Sequence, residues 1–147
     1  KNRWFLVELI PVGQINAPVL EGKHIWAAIK QSIISNFGDT GWGSVGLSLT
    51  VKYYSPTTNI CIIRVARDHH KIAWGSITLL SSIEGTRYIP HVIHVSGTIK
   101  HAQLAAIAHN REIVARYRAQ TKTPAAYQDS FETYLESSSV EIAALHD

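Results

Sequence analysis

The 147-residue chain has one cysteine and no methionine, and only 17% of its residues are Asp, Glu, Lys or Arg. A lone thiol cannot close an internal disulfide. Cys61 lies in the apolar run "NICIIRVAR", which reads as a small buried hydrophobe in an intracellular protein rather than a reactive thiol. No apolar run approaches the roughly 18 residues of a membrane span, so no membrane partner is expected. No secretory leader is visible, and a chain opening on Lys1 is expected to begin a few residues inside a longer protein. Internal repeats and low-complexity segments are also lacking. With 46% hydrophobic residues the composition is that of a globular domain, long enough to bury a core without disulfide or metal staples.

Charge of one sign is scarce in two places. Residues 86–122 hold six bases (Arg87, Lys100, Arg111, Arg116, Arg118, Lys122) and the single acid Glu112, a net of +5. Residues 123–147 hold five acids and no base, a net of −5, so the overall +3 hides a basic block followed by an acidic tail. Basic blocks attract polyanions, and acidic tails dock on basic proteins or shield basic surfaces.

Hydrophobic spacing sets the expected elements. "WFLVELI", residues 4–10, is a buried strand. Trp26, Ile29, Ile33 and Phe37 make one face of a helix over 20–37, with Gly38 as its stop. After a glycine-rich loop, residues 45–53 alternate, with Val45, Leu47, Leu49, Val51 and Tyr53 on one side of an edge strand. "ICIIRVAR" is a strand apolar on both faces for its first half. A helix is expected over 68–85, capped by Asp68 and stopped by Gly85. "RYIPHVIHV" is an edge strand, since Pro90 cannot donate to a ladder on both sides. A helix over 98–120 follows. The tail reads as a short docking helix opened by Thr123 and Pro124, with Tyr127, Phe131, Tyr134 and Leu135 on its apolar side. Ser137–Ser139 interrupt it.

The order β-α-β-β-α-β-α is that of an α+β, ferredoxin-like (RRM-like) sandwich with an additional C-terminal helix. The expected organisation is a ferredoxin-like domain over 1–122 and an acidic, partly helical extension over 123–147. Such a fold places strands one and three centrally. Here both are apolar on their second face too, so the extra helix, the tail or a protein partner is expected to cover it.

Chemical motifs are few. "GWGSVG" (41–46) has dinucleotide-type glycine spacing but follows a helix and opens a strand, the reverse of what a pyrophosphate site needs. Its glycines fit a tight connection instead. Of eight histidines, His91 and His94 are three apart on a strand and so face opposite ways. His101 and His109 are about two helical turns apart, too far for one ion. No catalytic triad or acid pair assembles; Glu8, on a central strand, is free to pair with a base. An aromatic RNA platform is disfavoured, because the third strand carries no aromatic. The stretch "HVSGTIKHAQ" remains. It is a strand, a small polar turn and a helix start, where Ser96 or Thr98 caps the helix, or the free amides with Gly97 and Lys100 meet a phosphate.

Four stretches taken in order, "KNRWFLVEL", "SIISNFGDTGWGS" leading into "VKYYSPTTNICIIRVAR", "DHHKIAWGSITLL" and "HVSGTIKHAQ", resemble the POP-five family, the small protein subunit of ribonuclease P and RNase MRP. The resemblance covers roughly residues 1–117, and the last stretch is the most specific. The acidic tail resembles the variable extensions of eukaryotic members. The resemblance implies an RRM-like sandwich that is no catalyst itself. It implies a large RNA performing metal-dependent cleavage of precursor tRNA, with Mg2+ on that RNA and no cofactor on this chain. It further implies a TIM-barrel-like protein partner, precursor tRNA nearby, a role in rRNA processing, and residence in the nucleus and nucleolus. Carried over residue by residue, it offers Lys1, Arg3, Arg64, Arg67, Ser96, Gly97, Thr98 and Lys100 as phosphate contacts on one basic surface. Two other readings stand beside it: a stand-alone RRM-like RNA binder, and a small acylphosphatase-like enzyme.

Overall fold

In the computed structural model, which describes residues 1–13, 19–120 and 125–146, strand β1 (Asn2–Pro11) is the middle of a five-stranded sheet. Its antiparallel neighbours are β3 (Ile60–Ala66) and β5 (Thr86–Ser96). β2 (Thr50–Ser55) and the two-residue β4 (Ser82–Ile83) complete the order β2-β3-β1-β5-β4. Strands one and three are central, as the ferredoxin-like pattern requires. β4 pairs only with Thr86 and Arg87, so Pro90 lies on a stretch of β5 beyond that pairing.

Alternation along β1 feeds two separate cores. Phe5, Val7 and Leu9 pack with Cys61, Ile63 and Val65 under α1 (Gly22–Val45) and α2 (His70–Thr78). Trp4 and Leu6 pack with Ile60, Ile62 and Tyr53 under α3 (Ile99–Gln120) and α4 (Ala125–Ala143). Each of Trp4, Leu6, Ile60 and Ile62 gains about 1.5–3 kcal/mol from leaving water, so the second face must be covered. The chain covers it itself: Ala102 and Ala106 of α3 and Ile142 of α4 are fully buried there. The small alanines let α3 sit close to the sheet.

Several expected elements change. Gly38 does break the first helix, with φ at 71°, but the chain then resumes helix to Val45 instead of forming a loop. Trp42 packs edge-on to Trp26, and the Lys30 ammonium lies over both rings. This packing outweighs the low helix propensity of Gly41 and Gly43. The expected strand over 45–53 consequently starts at Thr50, and Leu47 is left fully exposed in the turn. A bulge at Lys52, between the pairs Val51–Ile63 and Tyr53–Ile62, sends Val51 to the first core and Tyr53 to the second.

The expected helix over 68–85 is much shorter. A 3-10 turn (Arg67–His69) precedes α2, and Asp68 makes no cap hydrogen bond; its carboxylate lies 3.7 Å from the Arg67 guanidinium. Glu84 and Gly85, both at positive φ, form the tight turn from β4 into β5 rather than a helix stop. Finally, α4 runs straight through Ser137–Ser139. Ser138 is buried, and its hydroxyl donates to the Leu135 carbonyl, so the serine is satisfied inside the helix. Gln103 of α3 then donates its amide to the carbonyls of Ile142, Ala143 and Leu145, holding the end of α4. The expected start of that helix at Thr123 and Pro124, and the side chain of Tyr127, lie outside the described residues.

Candidate nucleic-acid interface

Register gathers the carried-over residues at one end of the sheet. β1 begins there, while β3 and β5 end there: Asn2 is opposite Ala66, and Trp4 is opposite both Arg64 and Ser96. Arg67 follows β3, and its amide donates to the Lys1 carbonyl. On the other side of β1, the Arg3 guanidinium lies against Gly97: a methyl group added there would be 3.1 Å from Arg3 Nη1. Arg3 is held in that direction by a hydrogen bond from Nη1 to the Asn2 carbonyl. Lys100, three residues beyond Gly97, is exposed, as are Lys1 and Arg67.

Arg64 is the outlier. It shares a face with Trp4, on the α3–α4 side, and its Nη2 donates to Thr50 Oγ1. It therefore lies one pair further into the sheet than the rim formed by Lys1, Arg3, Arg67 and Lys100.

The turn between β5 and α3 settles the question of the cap. The Thr98 hydroxyl accepts the His101 amide at the third helical position, and His101 Nδ1 lies 3.0 Å from the same oxygen. Ser96 is buried, and its hydroxyl donates to the Thr98 carbonyl at 2.7 Å. Ser96 shapes the turn from within, while Thr98 caps it. The amides of Ile99 and Lys100 precede the first intrahelical bond, from Ala102 to the Thr98 carbonyl. A helix N-terminus with a partial positive charge thus sits beside Arg3 and Lys100.

Histidine placement departs from expectation at a second bulge. β5 skips Ile93 between the pairs Val7–Val92 and Leu6–His94. His91 and His94 consequently stand opposite Glu8 and Leu6, which share a face, so they do not point opposite ways. Glu8 does find bases: His91 Nδ1 is 3.5 Å away and His109 Nε2 3.7 Å. Among the described residues, no group of three or more His, Cys, Asp or Glu is placed to hold a metal ion. Cys61 is fully buried, and burial pushes its thiol up to about 12.

Burial holds the His109 imidazole below its ordinary value of 6.5, against the opposing pull of Glu8 and then Glu112. The unfolded chain therefore takes up this proton first as pH falls. Its contribution to stability is present above about pH 6.5 and is lost on acidification below it. Glu8→Gln removes the main attraction and is expected to lower the His109 value further in an NMR titration. An unchanged value would mean that Glu8 is too well solvated to be felt.

Sheet order, helices on both faces and a rim of cations around a helix N-terminus define a ferredoxin-like α+β protein with an end suited to a polyanion. Residues 3–107 match the Rpp14/Pop5 family, and the chain belongs to that family. It is 48% identical over 83 residues to the ribonuclease P/MRP protein subunit POP5 of Schizosaccharomyces pombe, a match covering 56% of this chain and 60% of that protein. It is 35% identical over 118 residues to the probable ribonuclease P/MRP protein subunit POP5 of Arabidopsis thaliana, covering 76% of this chain and 78% of that protein. A chain in the cryo-EM structure of yeast ribonuclease MRP shares the fold, with a TM-score of 0.52 at 13% identity over 67% of this chain and 75% of that one.

Proposed function

We propose that this chain is a non-catalytic protein subunit of a ribonuclease P/MRP-type ribonucleoprotein and holds the large RNA by the cationic end of its sheet. Family membership supports the subunit role. The observation that carries the RNA contact is Arg3 lying against Gly97, which joins the start of β1 to the N-terminus of α3 in one anion-facing rim. Lys1, Arg3, Arg67 and Lys100 supply charge there. Gly97 lets backbone approach a phosphate, and the first-turn amides of α3 donate to it. Ser96 and Thr98 keep the turn in shape. Arg64 supports the rim from the neighbouring face.

In this reading the chain positions and the RNA cuts, with Mg2+ on the RNA. A TIM-barrel-like protein subunit is the proposed neighbour, precursor tRNA lies nearby, and the particle works in the nucleus and nucleolus. A stand-alone RRM-like binder would need an open sheet face. Here Trp4 is 1% exposed beneath α3 and α4, so that platform is closed.

Co-purification of the chain from cells followed by sequencing of its bound RNA tests the subunit role; recovery of a ribonuclease P or MRP RNA is expected. Lys100→Ala tests the rim. The variant is expected to fold normally and to reduce the slope of log affinity against log salt by about 0.7–0.9, so that binding weakens more at low salt than at high salt. Loss of folding instead would return the turn to a structural role.

A further inference from the structure

Trp74 is a large aromatic that the rim leaves without a task. It is 41% exposed on α2, whereas Phe5 beneath it is fully buried. The indole stands edge-on to Phe5, with centroids 6.0 Å apart and planes at 69°. His70, one turn earlier, lies with its ring 6.5 Å away at 37°. Phe5 fixes the direction of the indole from one side, and the other side meets water. A ring held in one orientation has little conformational entropy left to lose on contact.

Its position ties it to the rim along two routes. Phe5 and Arg3 are two residues apart on β1 and share a face, and Arg3 reaches Gly97. His70 Nδ1 is 2.7 Å from the Arg67 carbonyl, and the Arg67 amide bonds to Lys1. Arg67 and Lys71, seven and three positions before Trp74, are both exposed, and positive charge on this stretch of chain favours a polyanion over an apolar protein surface.

We infer that Trp74, with His70 beside it, is a stacking shelf for an unpaired RNA base whose flanking phosphates lie on the cationic rim. The inference rests on the RNA contact proposed above. It adds a preference that phosphate contacts cannot supply, because a base inside a duplex has both faces covered, whereas an unpaired base offers one to an aromatic ring. The shelf lies on the α1–α2 side of the sheet, opposite the face that α3 and α4 close and on which RRM domains stack their bases.

The test compares the full chain with Trp74→Leu and Trp74→Phe. Leu keeps an apolar contact with Phe5 but has no π face; Phe keeps both. The probes are a short RNA without self-complementarity and a blunt RNA duplex with the same number of phosphates, each labelled and followed by fluorescence anisotropy. Trp74→Leu is expected to bind the single strand about tenfold more weakly and the duplex unchanged, with the same salt slope. Trp74→Phe is expected to keep most of the affinity. Equal losses on both RNAs, or full single-strand affinity in Trp74→Leu, would overturn the shelf; the second outcome would assign the indole to a protein contact. If Trp74→Leu fails to fold, indole quenching on adding the single strand, but not the duplex, is expected in the wild-type chain and not in Trp74→Phe, which keeps the other three tryptophans; equal quenching in both would overturn the shelf. A wild-type chain that binds neither RNA would remove the proposed RNA contact itself. Lys100→Ala losing affinity while Trp74→Leu does not would remove only the shelf.

Discussion

Ile142→Asp is expected to release α4 from the protein and to cost at least ~3 kcal/mol of stability. Ile142 is fully buried in the second core, against side chains that include Trp4, Leu6 and Ile62. Replacing an aliphatic side chain there by a carboxylate removes apolar burial and also strands a charge without a partner. The cheaper response is for α4 to lift away, which breaks the bonds from Gln103 to the last carbonyls. It also frees Tyr134, whose hydroxyl lies within hydrogen-bond distance of both Ser55 and Thr58. The readouts are the urea midpoint, expected to fall by about 1–2 M, and faster proteolytic cleavage within the 130–143 part of α4 under native conditions. An unchanged midpoint would show that α3 alone closes the sheet face.

Arg3→Glu combined with Lys100→Glu is expected to weaken binding to the cognate large RNA by at least ~100-fold at low salt, with the gap narrowing as salt rises. The folding expectation has the opposite sign. Both new acids would stand near the N-terminus of α3, where negative charge stabilises a helix by about 0.3–1 kcal/mol. Loss of binding with an equal or higher melting temperature therefore cannot be assigned to unfolding. Arg111→Glu combined with Arg116→Glu is the control for net charge, since it also reverses two cations: both arginines are exposed on α3, and Arg116 is paired with Glu112. A loss as large in that variant would mean that total charge, and not the rim, governs the contact.

Much of this architecture is legible in the sequence because burial on both faces leaves a distinct signature. The nearly continuous apolar runs of β1 and β3, interrupted by Glu8 and Arg64, mark them as central, and the same runs announce that a second layer must cover the sheet. Legibility fails where tertiary contacts overrule local preference. Gly41, Gly43 and Gly46 read as loop, yet Trp42 packing on Trp26 holds most of that stretch helical. Gly46 is needed because a methyl group there would come within 2.8 Å of the Trp42 ring. The run after Trp74 reads as helix to Gly85, because nothing local signals that Ser82 and Ile83 can pair with Arg87 and Thr86.

The candidate interface divides in the same way. Lys1, Arg3, Arg67 and Lys100 were nameable through family resemblance, but their meeting at one end depends on register. Nothing in the linear sequence shows that Arg3 reaches Gly97, more than ninety positions away. Trp74 was hidden for a different reason. Every third or fourth apolar residue of a helix is ordinarily core, and only the structure shows that this one is turned outward.

The skipped Ile93 bears on which length changes this protein can tolerate. Because the extra residue is absorbed outside the ladder, Ser96 still arrives opposite Trp4 and Gly97 beside Arg3. Deleting Ile93 would regularise the strand and leave those distal pairings where they are. Deleting one residue between His94 and Gly97 would instead pull the start of α3 into the sheet and invert the last side chains. Loss of Ile93 would thus cost its packing against the second core but keep the register, whereas insertions and deletions in homologous chains are expected to be excluded from Val95 and Ser96.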